Sequence, residues 1–211
     1  MALKRFKVDK YGQLELNNVF FRREGAIEAQ CALDPEKFAV EGEATTQDST
    51  KGKIYAENGM ILAVDKANGI VKLPTKVESF LPLALNYSTE HMYDERHKNL
   101  GSYYLPAGTF YPRMGYLKRG EVFTTNCLAY DDTTFAATED KTSDEVFIEA
   151  LKTPGNAYFG IPCELGAIQI INGELAGAEE TDKRIVLRVV KCYTMPDGTP
   201  GVKFQVIGTM G

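Results

Sequence analysis

Tryptophan is absent from this 211-residue chain and histidine occurs only at His91 and His97, which removes the usual imidazole base from most of the sequence. A serine triad needs such a base, yet neither histidine accompanies a Gly-x-Ser-x-Gly elbow, and Gly101-Ser102 stands in a plain Leu-Gly-Ser-Tyr. Both histidines lie in His91-Met-Tyr-Asp-Glu-Arg-His97, beside Asp94 and Glu95. Their six-residue separation does not set two rings on one helix face and matches no zinc-protease motif, so a solvated polar loop is expected and no metal site. The four cysteines, Cys31, Cys127, Cys163 and Cys192, form no Cys-x-x-Cys pair, which argues against a zinc or redox motif. Cys127 and Cys192 fall in expected strands, where an inert packed thiol is the usual state.

No glycine-rich phosphate loop and no dinucleotide fingerprint is present, so no cofactor is expected. Asp131-Asp132, Asp144-Glu145 and Glu179-Glu180 are the carboxylate pairs on which a glycoside hydrolase could be built. Each reads more simply as a turn, a helix start or an exposed loop, and no catalytic residue is assigned. No run approaches the roughly eighteen apolar residues of a membrane span, and Met-Ala-Leu-Lys-Arg-Phe-Lys lacks a secretory core, so synthesis in a cytoplasm and no membrane partner are expected. The net charge of −5 disfavours a general nucleic-acid surface, and no specific nucleic-acid partner is expected. Charge is nonetheless uneven: Lys4, Arg5, Lys7 and Lys10 crowd the first ten residues against Asp9, as in a short cationic arm or a solvated chain end.

What is present is β pattern. Asn58-Gly-Met-Ile-Leu-Ala-Val-Asp-Lys-Ala-Asn-Gly-Ile-Val-Lys-Leu-Pro74 reads as two apolar runs about an Asn68-Gly69 turn, because both residues tolerate the positive φ of tight hairpins. Pro74 ends the second run. Leu81, Leu83, Leu85 and Tyr87 alternate on a short strand, placed at a sheet edge because of Pro82. Strands follow in 117–130, 157–161, 167–171 and 184–193, the last returning through a Pro196-Asp197-Gly198 turn into the period-two run 202–206. One short helix is expected from the Thr142-Ser-Asp-Glu145 capping box, with Val146, Phe147, Ala150 and Leu151 on one face and Pro154-Gly155 as its stop.

These elements define a mainly β fold: a hairpin-rich β-sandwich or small β-barrel with one short helix and an extended N-terminal arm. Residues 1–50 are expected as arm and polar loop. The polar stretch 41–53 has too little apolar surface to offset the entropy of ordering it. Residues 51–211 form the β-rich domain, with a subdivision near 132–142. Between 88 and 116, Tyr93, Tyr103, Tyr104, Phe110, Tyr111 and Tyr116 stand among glycines and prolines with Arg113. Such plates either cover a core or face a partner, since Tyr and Arg carry much of the energy at interfaces. Tyr103, Tyr104 and Tyr111 would equally stack on sugars in a carbohydrate-binding module.

The phrase from Asn58 to Pro74, with Tyr111-Pro-Arg-Met-Gly-Tyr-Leu-Lys-Arg-Gly-Glu-Val-Phe-Thr-Thr-Asn126, resembles the virion structural proteins encoded beside the major capsid protein in tailed bacteriophages. The likeness covers residues 58 to 130. It implies a non-enzymatic decoration, or cement, protein: β-rich, a homo-oligomer and often a trimer, held on the outside of the capsid by contacts to the major capsid protein. It also implies that Leu3 to Tyr11 is a reaching arm. The partner-binding residues are then Lys4, Arg5, Phe6 and Lys7 of the arm with Tyr103, Tyr104, Tyr111 and Arg113, and the protein resides in the virion. The chain is longer than the smallest members of that class, so a head–tail connector or tail component is the alternative within it. A carbohydrate-binding module or a carboxylate-pair hydrolase is the alternative outside it.

Overall fold

The computed structural model describes residues 3–75, 80–88, 100–108, 111–153, 157–173, 184–195 and 198–209. The fold is mainly β, with two sheets packed as a sandwich. The strands are β1 (Leu3–Arg5), β2 (Leu14–Asn18), β3 (Ile27–Glu28), β4 (Ala32–Leu33), β5 (Ile61–Asp65), β6 (Ile70–Lys72), β7 (Leu83–Asn86), β8 (Met114–Gly115), β9 (Val122–Thr125), β10 (Leu128–Asp131), β11 (Tyr158–Pro162), β12 (Ile168–Asn172), β13 (Ile185–Thr194) and β14 (Pro200–Thr209). The helices are α1 (Phe21–Glu24) and α2 (Ser143–Lys152).

The larger sheet runs β1-β10-β12-β11-β13-β14-β9-β2, and the smaller β3-β8-β7-β5-β6-β4. Strands from the first fifty residues enter both sheets. The larger sheet holds β9 and β10 second from its opposite ends, yet only Asn126 and Cys127 separate them in the chain. Thr125 and Leu128 are three residue steps apart and span at most about 11 Å, so the sheet must curl to bring its two ends together. The edge strands β1 and β2 do not pair, and the roll stays open rather than closing as a barrel.

Period-two alternation explains why some strands are apolar throughout. In β5, Ile61 and Ala63 pack into one hydrophobic cluster with Leu83, Leu85, Phe123, Tyr130 and Phe204. Leu62 and Val64 enter a second cluster with Val71, Ala84, Ala129 and Ala167. A strand buried on both faces cannot carry a polar face. The same holds for β7, which lies inside the smaller sheet between β5 and β8 and corrects its expected edge position. Pro82 is compatible with that place because it precedes the ladder, where its carbonyl accepts from the Val64 N–H at 2.9 Å.

The hairpin around Asn68-Gly69 forms, with Asp65 opposite Ile70, so its connection has four residues rather than two. Asp65 accepts from the Asn68 N–H at 3.1 Å and from the Asn68 side-chain amide at 2.7 Å. The side-chain bond from Asn68 is the largest influence on Asp65 and, against the effect of burial, holds its carboxyl below the ordinary carboxylate value; the Asn68 N–H and Lys72 add to this. A carboxyl depressed in the folded state stabilises above its unfolded value, and that stabilisation is lost as pH falls through the folded value. The melting-temperature gap between wild type and Asp65→Ala is therefore expected to shrink as pH is lowered from about 5 to about 2, the unfolded Asp value being about 3.9. A gap that stays constant across this window would contradict it.

α2 begins as expected. Thr142 Oγ1 accepts from the Glu145 N–H at 3.3 Å and Glu145 Oε2 accepts from the Thr142 N–H at 2.8 Å, a reciprocal cap. Pro154 and Gly155 lie outside the described residues, as do Pro196 and Asp197 of the β13–β14 turn. The single turn α1 replaces the extended backbone expected at Phe20-Phe21. Its cause is distant in sequence: the buried Glu121 accepts from the N–H groups of Phe20 and Phe21 with Oε1 and from Lys118 N–H with Oε2, which supplies the acceptor a helix start requires.

The N-terminal segment is extended, but it belongs to the protein's own sheet and not to a free arm. β1 pairs antiparallel with β10, Leu3 opposite Asp131 and Arg5 opposite Ala129. Phe6 and Val8 are buried in the main core, where Phe6 meets Phe147 at 5.8 Å between ring centroids. Apolar residues at positions 6 and 8 gain more from this burial than a solvated arm would offer.

Candidate functional site

The eight residues that join β1 to β2 lie beside the loop 41–53, whose Gln47 amide donates to the Val8 and Lys10 carbonyls, and beside the strand-like segment 54–57. Together with Ser102 they line an open pocket of about 370 Å³. Tyr11 and Tyr55 form its aromatic wall. Tyr104 stacks on Tyr55 at 4.4 Å and leans on Tyr11 at 4.8 Å, which fixes the rings, and its hydroxyl donates to Glu41 at 2.9 Å. Burial, then Glu41, pushes the Tyr104 hydroxyl up to about 12, so it remains a donor at neutral pH. Thr45, Thr46, Gln47 and Ser102 add short uncharged polar groups, and Asp9 and Lys10 stand at the rim with opposite charge.

Glu57 lines the cavity although the residue is only 3 % exposed. Its Oε2 accepts from Arg5 Nη2 at 2.7 Å and from the Gly12 N–H at 2.6 Å. Gly12 can approach so closely because a Cβ there would lie 2.8 Å from Oε2. Arg5 also donates from Nη1 to the Leu128 carbonyl at 3.2 Å, and its side chain is as buried as that of Glu57. The carboxylate is thus anchored through Oε2 by one charged and one backbone donor.

Behind this pair lies a polar seam through the protein's centre. Asn58, Asn86 and Asn126 are fully buried; Asn86 Nδ2 donates to the Glu57 carbonyl at 2.9 Å and Asn126 Oδ1 accepts from the Gln13 N–H at 2.6 Å. The Asn58 side chain has no hydrogen-bond partner at either end. Burial pushes the thiols of Cys127 and Cys163 up to about 12, and both are protonated packing groups at neutral pH.

The residues singled out in the sequence do not converge. Arg5 and Phe6 are buried, Lys4 pairs with Asp132 at 3.3 Å, and Lys7 alone of the four is exposed, so these side chains cannot act as a reaching arm. Tyr103 is 3 % exposed and its hydroxyl is pushed up to about 12 by burial; it covers core rather than facing a partner. Arg113 lies over the ring of buried Tyr87, its guanidinium carbon 5.4 Å from the centroid. Tyr111 is 55 % exposed, and only Tyr104 joins the cavity's aromatic cluster.

The acid pairs hold local structure. Asp131 accepts from the Thr133 N–H and from the hydroxyls of Thr133 and Thr134, Asp144 accepts from the Tyr130 hydroxyl, and Glu145 caps α2. Among the described residues no group of three or more His, Cys, Asp or Glu side chains is placed to hold a metal ion. His91, His97, Asp94, Glu95, Glu179 and Glu180 lie outside the described residues. Among the described residues no helix is long and apolar enough to cross a membrane.

In comparisons with known proteins the chain matches no family model, no curated protein and no solved structure.

A second feature is the edge of β13. β13 and β14 pair along their whole length, but β11 meets β13 only at Leu187 and Arg188. From Val189 to Thr194 the outer edge of β13 bonds to no other described strand. Val190 and Tyr193 are 48 % and 37 % exposed there, and a register shift between Val189 and Lys191 bulges the edge.

Proposed function

We propose that this chain is a non-enzymatic structural protein of a tailed-bacteriophage virion that decorates or stabilises the capsid, with the major capsid protein as its partner. The resemblance over residues 58 to 130 supplies the class, and the open edge of β13 is the observation that carries the reading. A strand edge that meets no other described strand and carries two exposed apolar side chains is a template for a strand from a neighbouring subunit. With the N-terminal strand committed to the protein's own sheet, attachment falls to this edge in place of an arm. Repetition on a lattice then makes modest contacts effectively tight, and a homo-oligomer such as a trimer multiplies them further.

Sedimentation with empty capsids of its phage tests the reading. The wild-type protein is expected to pellet with the capsids at about micromolar concentration, and the double substitution Val190→Lys with Tyr193→Lys to lower the bound fraction about tenfold. Absence of the wild-type protein from the pellet would sink the proposal. Unchanged binding of the double variant would move the contact elsewhere.

A further inference from the structure

The edge of β13 on which the capsid reading rests carries charge of one sign. Val202, Phe204 and Val206 of β14 are buried, so Lys203 and Gln205 between them face outward. Arg188 stands opposite Gln205 and Lys191 opposite Lys203, which puts all four side chains on that outer face. Arg188 donates to Gln205 at 2.6 Å. Lys191 and Lys203 oppose each other directly, and like charges so placed cost stability rather than add to it.

No carboxylate nearby offsets this. Across the sheet Thr124 stands opposite Lys203 and Glu15 opposite Thr124, so the acid in that row is three strands from Lys191. That is about 14 Å at the usual strand spacing, beyond the screening length of about 8–10 Å. On the inner side, burial raises the Cys192 thiol and the charge of Lys152, in the last turn of α2, opposes that rise, which sets a further cation beside the same edge. Among the described residues none of Lys152, Lys191 and Lys203 forms an ion pair.

We infer that the segment which adds to this edge is an acidic extended strand, with a carboxylate against Lys191 on the outer face and another toward Lys152 on the inner one. This rests on the reading of β13 as the attachment edge and supplies the chemistry of what attaches. A carboxylate beside Lys191 relieves its opposition to Lys203, so the pair that weakens the free protein strengthens the complex. Val190 and Tyr193 supply the apolar contact, beside which single surface charges are worth little, so lysine at those two positions still weakens attachment.

Fluorescence anisotropy tests this with the full chain and two labelled, capped peptides about eight residues long, one alternating valine with glutamate and the other valine with lysine. At about 50 mM salt the glutamate peptide is expected to bind at least about tenfold more tightly than the lysine peptide, and the difference to shrink at about 500 mM as the charges are screened. Lys191→Glu with Lys203→Glu keeps a like-charged pair and is expected to reverse the preference. Lys37→Glu with Lys51→Glu changes the net charge equally at exposed sites elsewhere and is expected to leave the preference within about twofold of wild type. Circular dichroism checks that each variant is folded. The inference is overturned if the two peptides bind alike or neither binds, or if the Lys37 and Lys51 changes shift the preference as far as those at Lys191 and Lys203. It is also overturned if single-stranded polythymidine binds more tightly than the glutamate peptide and is released by the Lys191 and Lys203 changes. A wild-type chain that pellets with capsids yet shows no preference for the acidic peptide overturns the acidic strand alone. One that prefers the acidic peptide but stays out of the pellet supports the acidic partner and sinks capsid attachment.

Discussion

Glu57→Met is expected to lower the unfolding free energy by about 3–5 kcal/mol, the cost of leaving one member of a buried ion pair without its partner. Both side chains are about 95 % withdrawn from solvent and meet at 2.7 Å. Removing the carboxylate also orphans the Gly12 N–H, which donates to Glu57 Oε2 at 2.6 Å. Arg5→Met alone is expected to be destabilising for the complementary reason. The double variant Arg5→Met with Glu57→Met should recover most of the loss, because two methionines return neither charge to a dry interior. Urea unfolding of the four proteins gives the coupling directly. Simple additivity of the two single effects would show that the charges do not depend on each other and would contradict the reading.

Gly59→Ala is the second large effect. Gly59 has φ +89°, and a Cβ there would stand 2.1 Å from Thr125 Oγ1 and 3.1 Å from Cys127 Cβ. The Thr125 hydroxyl cannot turn away freely, since it donates to the Gln13 carbonyl at 2.6 Å and accepts from the Cys127 N–H at 3.0 Å. Strain from the left-handed backbone and from overpacking together is expected to cost about 3 kcal/mol or more. Gly69 gives the contrast: its φ is +68°, but nothing lies within 4 Å of an added Cβ. Gly69→Ala should therefore cost only about 1 kcal/mol, the backbone part alone. Equal midpoints for the two variants in denaturant would refute the steric account.

These two glycines show how much of the molecule was legible beforehand. Asn68-Gly69 announces its hairpin because the cause is local: positive φ, flanking apolar runs and an Asp65 within reach of Asn68. The capping box at Thr142 and the alternation of Val202, Phe204 and Val206 are legible for the same reason. Gly59 is different, since its need for glycine comes from Thr125 and Cys127, which no spacing rule connects to it. The same limit hid the cavity. Arg5 and Glu57 are separated by 52 positions, and Tyr11, Tyr55 and Tyr104 come from three distant segments. A lysine- and arginine-rich start looks solvated in one dimension. Only the partner strand β10 and the buried carboxylate show why it is not. Glu57, a charge set between the apolar Ile54-Tyr55-Ala56 and the run from Met60 to Val64, is a local sign of a buried ion.

The order of strands in the rolled sheet constrains how the chain can reach its fold. β14 lies between β13 and β9, so the pair β9-β2 joins the five strands β1-β10-β12-β11-β13 only through it. While the chain emerges from the ribosome, these two parts can form separately, but the seam between them waits for the last strand described. β1 likewise waits for β10, more than 120 residues later, before Arg5 can be covered. Contacts of such long range form slowly, because loop closure must precede the bonds that reward it. Until then the main core, in which Phe204 of β14 meets Phe123 of β9 at 5.7 Å, lacks that ring and stays open to water and to neighbouring chains.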